Sequence, residues 1–253
     1  MEFIKCDRDG ELLIVTMDRG KANALNPPMI EELIGAIQQG ADSGDVRGVV
    51  LASDKPTFFS SGFDVGEVFQ FEREKMGQFF GRFIQCCQNM FNLPKPLIAA
   101  VGGHAFAGGA VLALACYGRV MAAGDFGFAL NEVNLGVVVP AWFIQLAAHA
   151  VGTRNARGLV VEGKTISPAR ALAIGLADEV TEPDMLLERA KARVRELAAK
   201  PPQAFSAAKK VFEETTGKHS MCDDSRWLDQ FLDHWFSPEA MRCKQALTES
   251  MRR

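Results

Sequence analysis

Short apolar runs alternate with amphipathic stretches over the first half of the chain. The apolar runs are rich in β-branched side chains and are bounded by proline, glycine or charged residues, as buried strands are. The predicted strands are residues 12–17, 46–52, 97–101, 119–122 and 126–129. Residues 29–39 and 72–92 carry apolar side chains at helical spacing, and a buried apolar helix is predicted to follow the glycine-rich loop within residues 102–116. Residues 53–62 show neither pattern and predict a loop.

The second half of the chain turns largely helical. The predicted helices are residues 154–162, 168–174, 184–199, 202–215, 225–235 and 238–251. Asn26 before two prolines, and Ser167 and Ser237 each before one proline, have the residue types of helix caps. Strands that alternate with helices in the first half predict the α/β class.

Length and charge narrow the classes of function. The chain has 253 residues, 48% of them apolar, which is enough for the core of one main domain. Its 28 basic and 31 acidic side chains give a net charge of -3 without any basic block, which argues against nucleic acid or an anionic membrane as a partner. The N-terminus has no secretion-signal pattern, and proline and glycine interrupt the uncharged run at 96–118, so we expect no membrane span.

The cysteines and histidines give no sign of a disulfide framework or a metal site. No C-x-x-C or H-E-x-x-H spacing occurs, which predicts a reducing, cytoplasmic location and no bound metal. The residues concerned are Cys6, Cys86, Cys87, Cys116, Cys222, Cys243, His104, His149, His219 and His234.

The first stretch with possible chemistry is "FFSSGFDVGEV" at 58–68. A tight turn at Gly62 can point backbone N–H groups at a developing oxyanion. Alternatively, Ser60, Ser61 or Asp64 caps a helix. No G-x-S-x-G surrounds the serines, so a nucleophilic serine is not supported.

The second stretch is "GGHAFAGG" at 102–109. A helix that begins near Gly108 would aim unpaired N–H groups, and the positive end of its dipole, at a ligand that approaches the glycine backbone. The alternative is a turn that lets a helix pack closely, with His104 as a loop residue.

The third stretch is "LNEVNLGVVVP" at 130–140. Glu132 is the only acid between Asp125 and Glu162, and apolar surroundings would raise the pKa of its carboxyl toward neutrality. Such a carboxyl can both accept and release a proton. The alternative is a solvated glutamate on a turn beside Asn131.

In their order and spacing these stretches resemble the crotonase, or enoyl-CoA hydratase/isomerase, superfamily. The segments that carry the resemblance are 58–68, "KPLIAAVGGHAFAGGAVLALAC" at 95–116, "FALNEVNLGVVVP" at 128–140 and "GKTISPARALAIGLADEV" at 163–180. The resemblance implies an α/β superhelix of strand–strand–helix turns over residues 1–200. It also implies a C-terminal helical region over 201–253 that completes the active site and assembles homotrimers, often paired into hexamers.

The resemblance further implies an acyl-CoA thioester as substrate and no separate cofactor, because CoA is part of the substrate. The backbone N–H groups of Phe63 and Gly108 would hold the thioester oxygen while an enolate forms. Phe231 or Lys244 of a neighbouring subunit could complete the CoA pocket. The other CoA contacts that it implies are Lys21, Ala22, Ala24, Ser61, Gly62, Asp64 and Val65.

The acidic residues of the pattern indicate which reaction to expect. The superfamily's hydratases carry one glutamate three residues after the second oxyanion donor and another after the next strands; here Glu132 matches the latter and Val111 replaces the former. This single-glutamate form resembles the mitochondrial-type isomerases. We therefore expect isomerisation of 3-enoyl-CoA to trans-2-enoyl-CoA in fatty-acid β-oxidation, with Glu132 as sole acid and base and Asn131 beside it. A hydratase or another acyl-CoA-transforming member, and a non-catalytic acyl-CoA-binding protein, are the alternatives.

Overall fold

The computed structural model describes residues 1–216 and 226–251. His219, Cys222 and Ser225, the predicted first residue of a helix, lie outside the described residues. The strands are β1 (Ile4–Asp9), β2 (Leu12–Met17), β3 (Gly48–Ser53), β4 (Phe58–Ser60), β5 (Leu97–Val101), β6 (His104–Phe106), β7 (Gly118–Ala122), β8 (Phe128–Ala129) and β9 (Glu179–Thr181).

Helices fill the segments between the strands and most of the chain after β8. They are α1 (Pro27–Asp42), α2 (Val65–Val68), α3 (Arg73–Phe91), α4 (Gly108–Ala115), α5 (Ala141–Val160), α6 (Pro168–Ala173), α7 (Leu186–Ala198), α8 (Pro202–Thr215), α9 (Arg226–Trp235) and α10 (Pro238–Met251). Two short 3-10 helices cover Glu132–Leu135 and Pro183–Met185.

The strands form two sheets that advance together along the chain. The larger sheet has the order β1-β2-β3-β5-β7-β9, with an antiparallel β1–β2 pair and parallel pairs thereafter. The smaller sheet has the parallel order β4-β6-β8. Each successive turn places one strand in the large sheet, the next strand in the small sheet, and then a helix: β3-β4-α3, β5-β6-α4 and β7-β8-α5. The predicted α/β superhelix of strand–strand–helix turns is confirmed.

The four central strands of the larger sheet, β2, β3, β5 and β7, are buried on both faces, which explains why they are apolar without alternation. On one face Ile14, Val50 and Ile98 pack against Val194 and its neighbours on α7. On the other face Val15, Leu51 and Ala99 belong to the main core, together with side chains of α1, α3 and α4. All five residues of β5 are buried, as predicted.

Helix starts follow the capping chemistry of the sequence. Asn26 Oδ1 accepts from Met29 N (3.2 Å), Ser167 Oγ from Arg170 N (3.3 Å) and Ser237 Oγ from Ala240 N (3.1 Å). Each hydrogen bond satisfies one of the N–H groups that have no partner within the helix.

The predictions that residues 53–62 and His104 lie in loops were wrong, and the helix predicted at 154–162 is present but longer than predicted. Residues 53–62 are not all loop, because β4 pairs there with β6, and His104 lies in β6 rather than in a loop; strands of three residues are too short to show a periodic pattern. The helix predicted at 154–162 is the second part of α5, which begins at Ala141 and bends at Gly152 (φ 72°, ψ 157°). Residues 141–148 are apolar nearly throughout, so no polar face marks them as a helix.

The C-terminal helices pack on the same core as the strands. Phe231, Leu232 and Trp235 of α9 and Ala240 of α10 are buried within the main cluster of apolar side chains. The boundary between residues 200 and 201, and assembly through the C-terminal region, stay predictions. Within residues 1–216 and 226–251, no helix has both the length and the apolar composition needed to cross a membrane.

Candidate active site

A cleft of about 1350 Å³ lies between the ends of several elements that are distant in sequence. It collects nearly all of the predicted site residues, and Gly62 and Lys244 are the two that do not line it. The predicted residues that do line it are Lys21, Ala22, Ala24, Ser61, Phe63, Asp64, Val65, Gly108, Val111, Asn131, Glu132 and Phe231.

The turn at Gly62 presents the N–H of Phe63 on one side of an extended segment. Leu25 N donates to Gly62 O (2.7 Å), and Asp64 N donates to Leu25 O (2.8 Å), which is the pattern of a parallel bridge. Because successive N–H groups of an extended strand point in opposite directions, the N–H of Phe63 faces away from Leu25. It has no hydrogen-bond partner among the described residues.

The start of α4 supplies a second unpaired N–H beside the first. A side chain at Gly62 would lie 2.9 Å from Phe106 O and 3.3 Å from Gly108 N, so the two backbones are in close approach. Ala107, which precedes α4, has a φ of 46°, a conformation that is strained for any residue with a Cβ. Ala107 N donates to Ala129 O (2.9 Å), which helps to hold this conformation. Within the part of the chain that the structure describes, the N–H of Gly108 has no partner.

Glu132 begins the 3-10 helix that follows β8, and its carboxyl is in an apolar environment. Its Oε2 atom is buried and has no hydrogen-bond partner among the described residues. Burial raises the pKa of this carboxyl to about 7, and a hydrogen bond from its own backbone N–H opposes the shift. A carboxyl that is half ionised near neutral pH can act as both base and acid. Glu132 as a whole is partly exposed at the cleft, but the buried Oε2 and the raised pKa argue against a fully solvated carboxylate.

Two residues besides Glu132 bear on the number of unpaired carboxylates in the cleft, Val111 and Asp64. Val111 is 1% exposed and stands one turn after Gly108 on α4, where it lines the cleft. Asp64, the other acid that lines the cleft, is fully engaged. Its Oδ1 accepts from Gly66 N (3.0 Å) and Glu67 N (3.3 Å), and its Oδ2 pairs with Arg19 (2.7 Å). Asp64 is therefore the cap of α2, as the second interpretation of that stretch predicted.

Comparison with known proteins identifies the family. The family model for enoyl-CoA hydratase/isomerase matches residues 7–245. The chain belongs to the enoyl-CoA hydratase/isomerase family. A probable enoyl-CoA hydratase of Bacillus subtilis (strain 168) is 32% identical over 209 residues, which are 82% of this chain and 80% of that protein. The mitochondrial enoyl-CoA delta isomerase 1 of Mus musculus is 29% identical over 215 residues, 85% of this chain and 74% of that protein.

The same fold is present in a solved member of the family. The crystal structure of human mitochondrial delta3-delta2-enoyl-CoA isomerase superposes with a TM-score of 0.93 at 22% identity, covering 99% of this chain and 98% of that one. The chain therefore has the crotonase fold. The match to the family model over residues 7–245 makes it an enzyme of that superfamily, consistent with an acyl-CoA thioester as substrate. Because relatives named as isomerase, hydratase and carnitinyl-CoA dehydratase match it about equally well, family membership does not distinguish among these activities.

Several residues of this family member's cleft were not predicted. Arg19 follows β2, donates to Ala24 O (2.6 Å) and pairs with Asp64, so it joins the two segments that carry the predicted CoA contacts. A lone arginine after a strand has no distinguishing pattern in the sequence. A wall of aromatic rings also lines the cleft, and of its members only Phe231 was predicted as a contact. This aromatic wall consists of Phe80, Phe83, Phe143, Phe231 and Trp235.

The two C-terminal candidates for CoA contact have different positions. Phe231 lines the cleft of its own chain and stacks on Phe80 with ring centroids 3.8 Å apart. Lys244 is buried: its Nζ donates to Trp235 O (2.7 Å) and lies 4.5 Å from the centroid of the Trp235 ring. Burial lowers the pKa of Lys244 to about 8. Because its ammonium group is enclosed within its own chain, the prediction that Lys244 extends to a neighbouring subunit is not supported by this arrangement.

Proposed function

We propose that this protein isomerises 3-enoyl-CoA to trans-2-enoyl-CoA, a step that unsaturated acyl chains need for β-oxidation. The observation that carries the proposal is that, among the described residues that line the cleft, Glu132 is the one carboxylate with a buried oxygen, Oε2, that has no hydrogen-bond partner. Val111 stands where the superfamily's hydratases have the first of their two glutamates, and Asp64 is held by Arg19 and the start of α2.

The proposed mechanism uses two backbone donors and one carboxylate. The thioester oxygen accepts hydrogen bonds from Phe63 N and Gly108 N, and the ionised Glu132 removes a proton from C2. The electron pair of that C–H bond delocalises over C2, C3, C4 and the oxygen as a dienolate, which the two donors stabilise. Glu132 then returns the proton to C4, so that the double bond moves from C3–C4 to C2–C3. Electrons and atoms balance without a cofactor.

A pair of substrates tests the reaction directly. We expect purified protein to convert 3-hexenoyl-CoA to trans-2-hexenoyl-CoA and to hydrate crotonyl-CoA much more slowly, because hydration needs a second group to position and activate water. Product identity by liquid chromatography and mass spectrometry measures both reactions. Rapid hydration of crotonyl-CoA without any shift of the 3-enoyl double bond would show a hydratase instead. Tight CoA binding without turnover of either substrate would show a non-catalytic binding protein.

Substitution of the base tests the assignment of Glu132. Glu132→Gln keeps the size of the side chain and removes its basicity, so we expect the isomerase kcat to fall by about a thousandfold or more. Steady-state kinetics with 3-hexenoyl-CoA measures the loss. Glu162→Gln is the matched control, because Glu162 is an exposed acid paired with Lys164 outside the cleft. The kcat of this variant should equal that of the wild-type enzyme. A Glu132→Gln enzyme within tenfold of wild type would contradict the assignment.

A further inference from the structure

Ser60, at the end of β4, is a fully buried polar residue between the two segments that carry the proposed oxyanion donors. We infer that Ser60 is a positioning residue of the oxyanion hole: its hydroxyl holds the Gly62 peptide so that Phe63 N–H and Gly108 N–H converge on one point. The inference rests on the proposed function, because the spacing of the two donors matters only if a thioester oxygen binds between them.

The hydroxyl of Ser60 is fixed by two hydrogen bonds of opposite sense. Its Oγ donates to Asn23 O (2.8 Å) and accepts from Gly62 N (3.2 Å). The proton of the hydroxyl is committed to Asn23, so a lone pair is directed at Gly62. The Gly62 N–H belongs to the peptide immediately before that of Phe63, and its direction restricts the orientation of the next N–H along the chain.

The acceptor of this hydroxyl is itself rigid. Asn23 is fully buried and has a φ of 47°, a left-handed conformation that asparagine tolerates better than most residues. Its Nδ2 donates to Ser53 Oγ (2.8 Å) and Phe59 O (3.1 Å), and its Oδ1 accepts from Arg19 N (2.8 Å). Asn23 therefore links the end of β3, the strand β4 and the turn after β2, and Ser60 binds to a fixed point.

Ser60 also contacts the segment that carries the other donor. A Cβ at Gly109 would lie 2.4 Å from Ser60 O and 2.7 Å from Ser60 Cβ, so the start of α4 rests directly on Ser60. Gly109 follows Gly108, whose N–H is the second donor. One residue thus meets both donor segments, by hydrogen bond to one and by close packing to the other.

Loss of the hydroxyl should therefore affect the transition state more than substrate binding. Without Ser60 Oγ, the Gly62 N–H has no partner, and the peptide that joins Ser61 to Gly62 loses one of the hydrogen bonds that fix the turn. Leu25 N still donates to Gly62 O, so we expect a shift of the Phe63 N–H rather than loss of the turn. A misplacement of about 1 Å of a catalytic group can cost about a hundredfold in rate. The CoA contacts and Glu132 are untouched by this change.

The kinetic test compares two serine-to-alanine substitutions. For Ser60→Ala we expect kcat with 3-hexenoyl-CoA to fall about 10-fold to 100-fold, while KM changes less than about threefold and the pH dependence of kcat stays the same. Ser167→Ala is the matched control: it also removes a hydroxyl that accepts from a backbone N–H, at the start of α6 and outside the cleft, and its kcat should equal that of wild type. Ser60→Cys keeps a weak donor and acceptor and should fall between wild type and Ser60→Ala.

A spectroscopic test separates positioning from general destabilisation. Hexanoyl-CoA has no double bond to move, and its thioester carbonyl, labelled with carbon-13, can be followed by infrared difference spectroscopy. In wild type and Ser167→Ala the carbonyl stretch should move to lower wavenumber on binding, because two N–H groups polarise the bond. In Ser60→Ala the shift should be smaller at equal occupancy of the site.

The outcomes distinguish this inference from the proposed function. A Ser60→Ala protein with the wild-type carbonyl shift and a kcat within threefold of wild type would overturn the inference; if Ser60→Ala does not fold, Ser60→Cys decides by the same two measurements. If wild type has no isomerase activity but its carbonyl shift depends on Ser60, the isomerase proposal fails and the positioning role stands. If wild type does not polarise the carbonyl of hexanoyl-CoA, both fail.

Discussion

Glu132 combines a catalytic requirement with a cost to stability. Burial favours the neutral form of its carboxyl and raises the pKa from 4.5 to about 7, whereas the proposed first step needs the ionised form. In the unfolded chain the carboxyl has its ordinary pKa. Between pH 4.5 and 7 the folded state therefore binds more protons than the unfolded state does, and stability falls as pH rises through this window.

This linkage makes a prediction at the scale of one residue. Above pH 7 the folded protein has to hold an ionised Glu132 in an apolar site, at a cost of up to about 3 kcal/mol. Glu132→Gln should therefore be more stable than wild type at pH 8, by up to that amount, and about equal to it at pH 4.5. Urea unfolding followed by circular dichroism at the two pH values measures the difference. A stability difference that is the same at both pH values would show that Glu132 is not desolvated in the folded state.

At the scale of one element, α4 depends on glycine for its close approach to β4. A Cβ at Gly109 would meet the backbone of Ser60 at 2.4 Å, which no rotation of a side chain can relieve. We expect Gly109→Ala to lower the free energy of unfolding by about 2 kcal/mol, because overpacking forces the backbone to shift, and to lower kcat as Gly108 moves with it. Gly35→Ala is the matched control in α1: Gly35 is exposed with nothing within 4 Å of the new Cβ. That variant should gain about 0.5–1 kcal/mol from helix propensity. Equal effects of both substitutions on urea unfolding would contradict this account.

At the scale of the whole molecule, α9 and α10 complete one side of the cleft, where α9 packs on α3 and α10 packs on the 3-10 helix that begins at Glu132. Phe231 of α9 is 2% exposed and stacks on Phe80 of α3. Phe231→Ala should lower the free energy of unfolding by about 3 kcal/mol, because it removes a buried ring. It should also weaken the binding of hexanoyl-CoA, because part of the aromatic wall is lost.

Phe212→Ala in α8 provides the comparison for this prediction. Phe212 is 55% exposed, and we expect its replacement to change the free energy of unfolding by about 0.5 kcal/mol or less and to leave hexanoyl-CoA affinity unchanged. Thermal unfolding and isothermal titration calorimetry measure the two quantities. If Phe231→Ala binds hexanoyl-CoA as tightly as Phe212→Ala does, the aromatic wall does not contribute to the acyl site.

Structural features that depend on a few consecutive residues could be predicted from the sequence. Features that depend on neighbours along the chain were all predicted. They are the helix caps at Asn26, Ser167 and Ser237, the fully buried strand at 97–101 and the apolar surroundings of Glu132. The superhelix of strand–strand–helix turns was predicted through the resemblance of segments 58–68, 95–116 and 128–140 to one superfamily.

The contacts between segments that are distant along the chain could be seen only in the tertiary structure. The strands β4 and β6 are too short to show a pattern and exist because the superhelix pairs them. Several features of the site depend on contacts between residues that are far apart along the chain. They are the hydrogen bonds of Ser60 and Asn23, the contact of Ser60 with Gly109, the pairing of Arg19 with Asp64 and the enclosure of Lys244. Which groups can do the chemistry was evident from the amino-acid sequence, because residue type and local environment set their reactivity. The fold determined where those groups lie and what holds them, because distances between remote residues follow from the packing of whole elements.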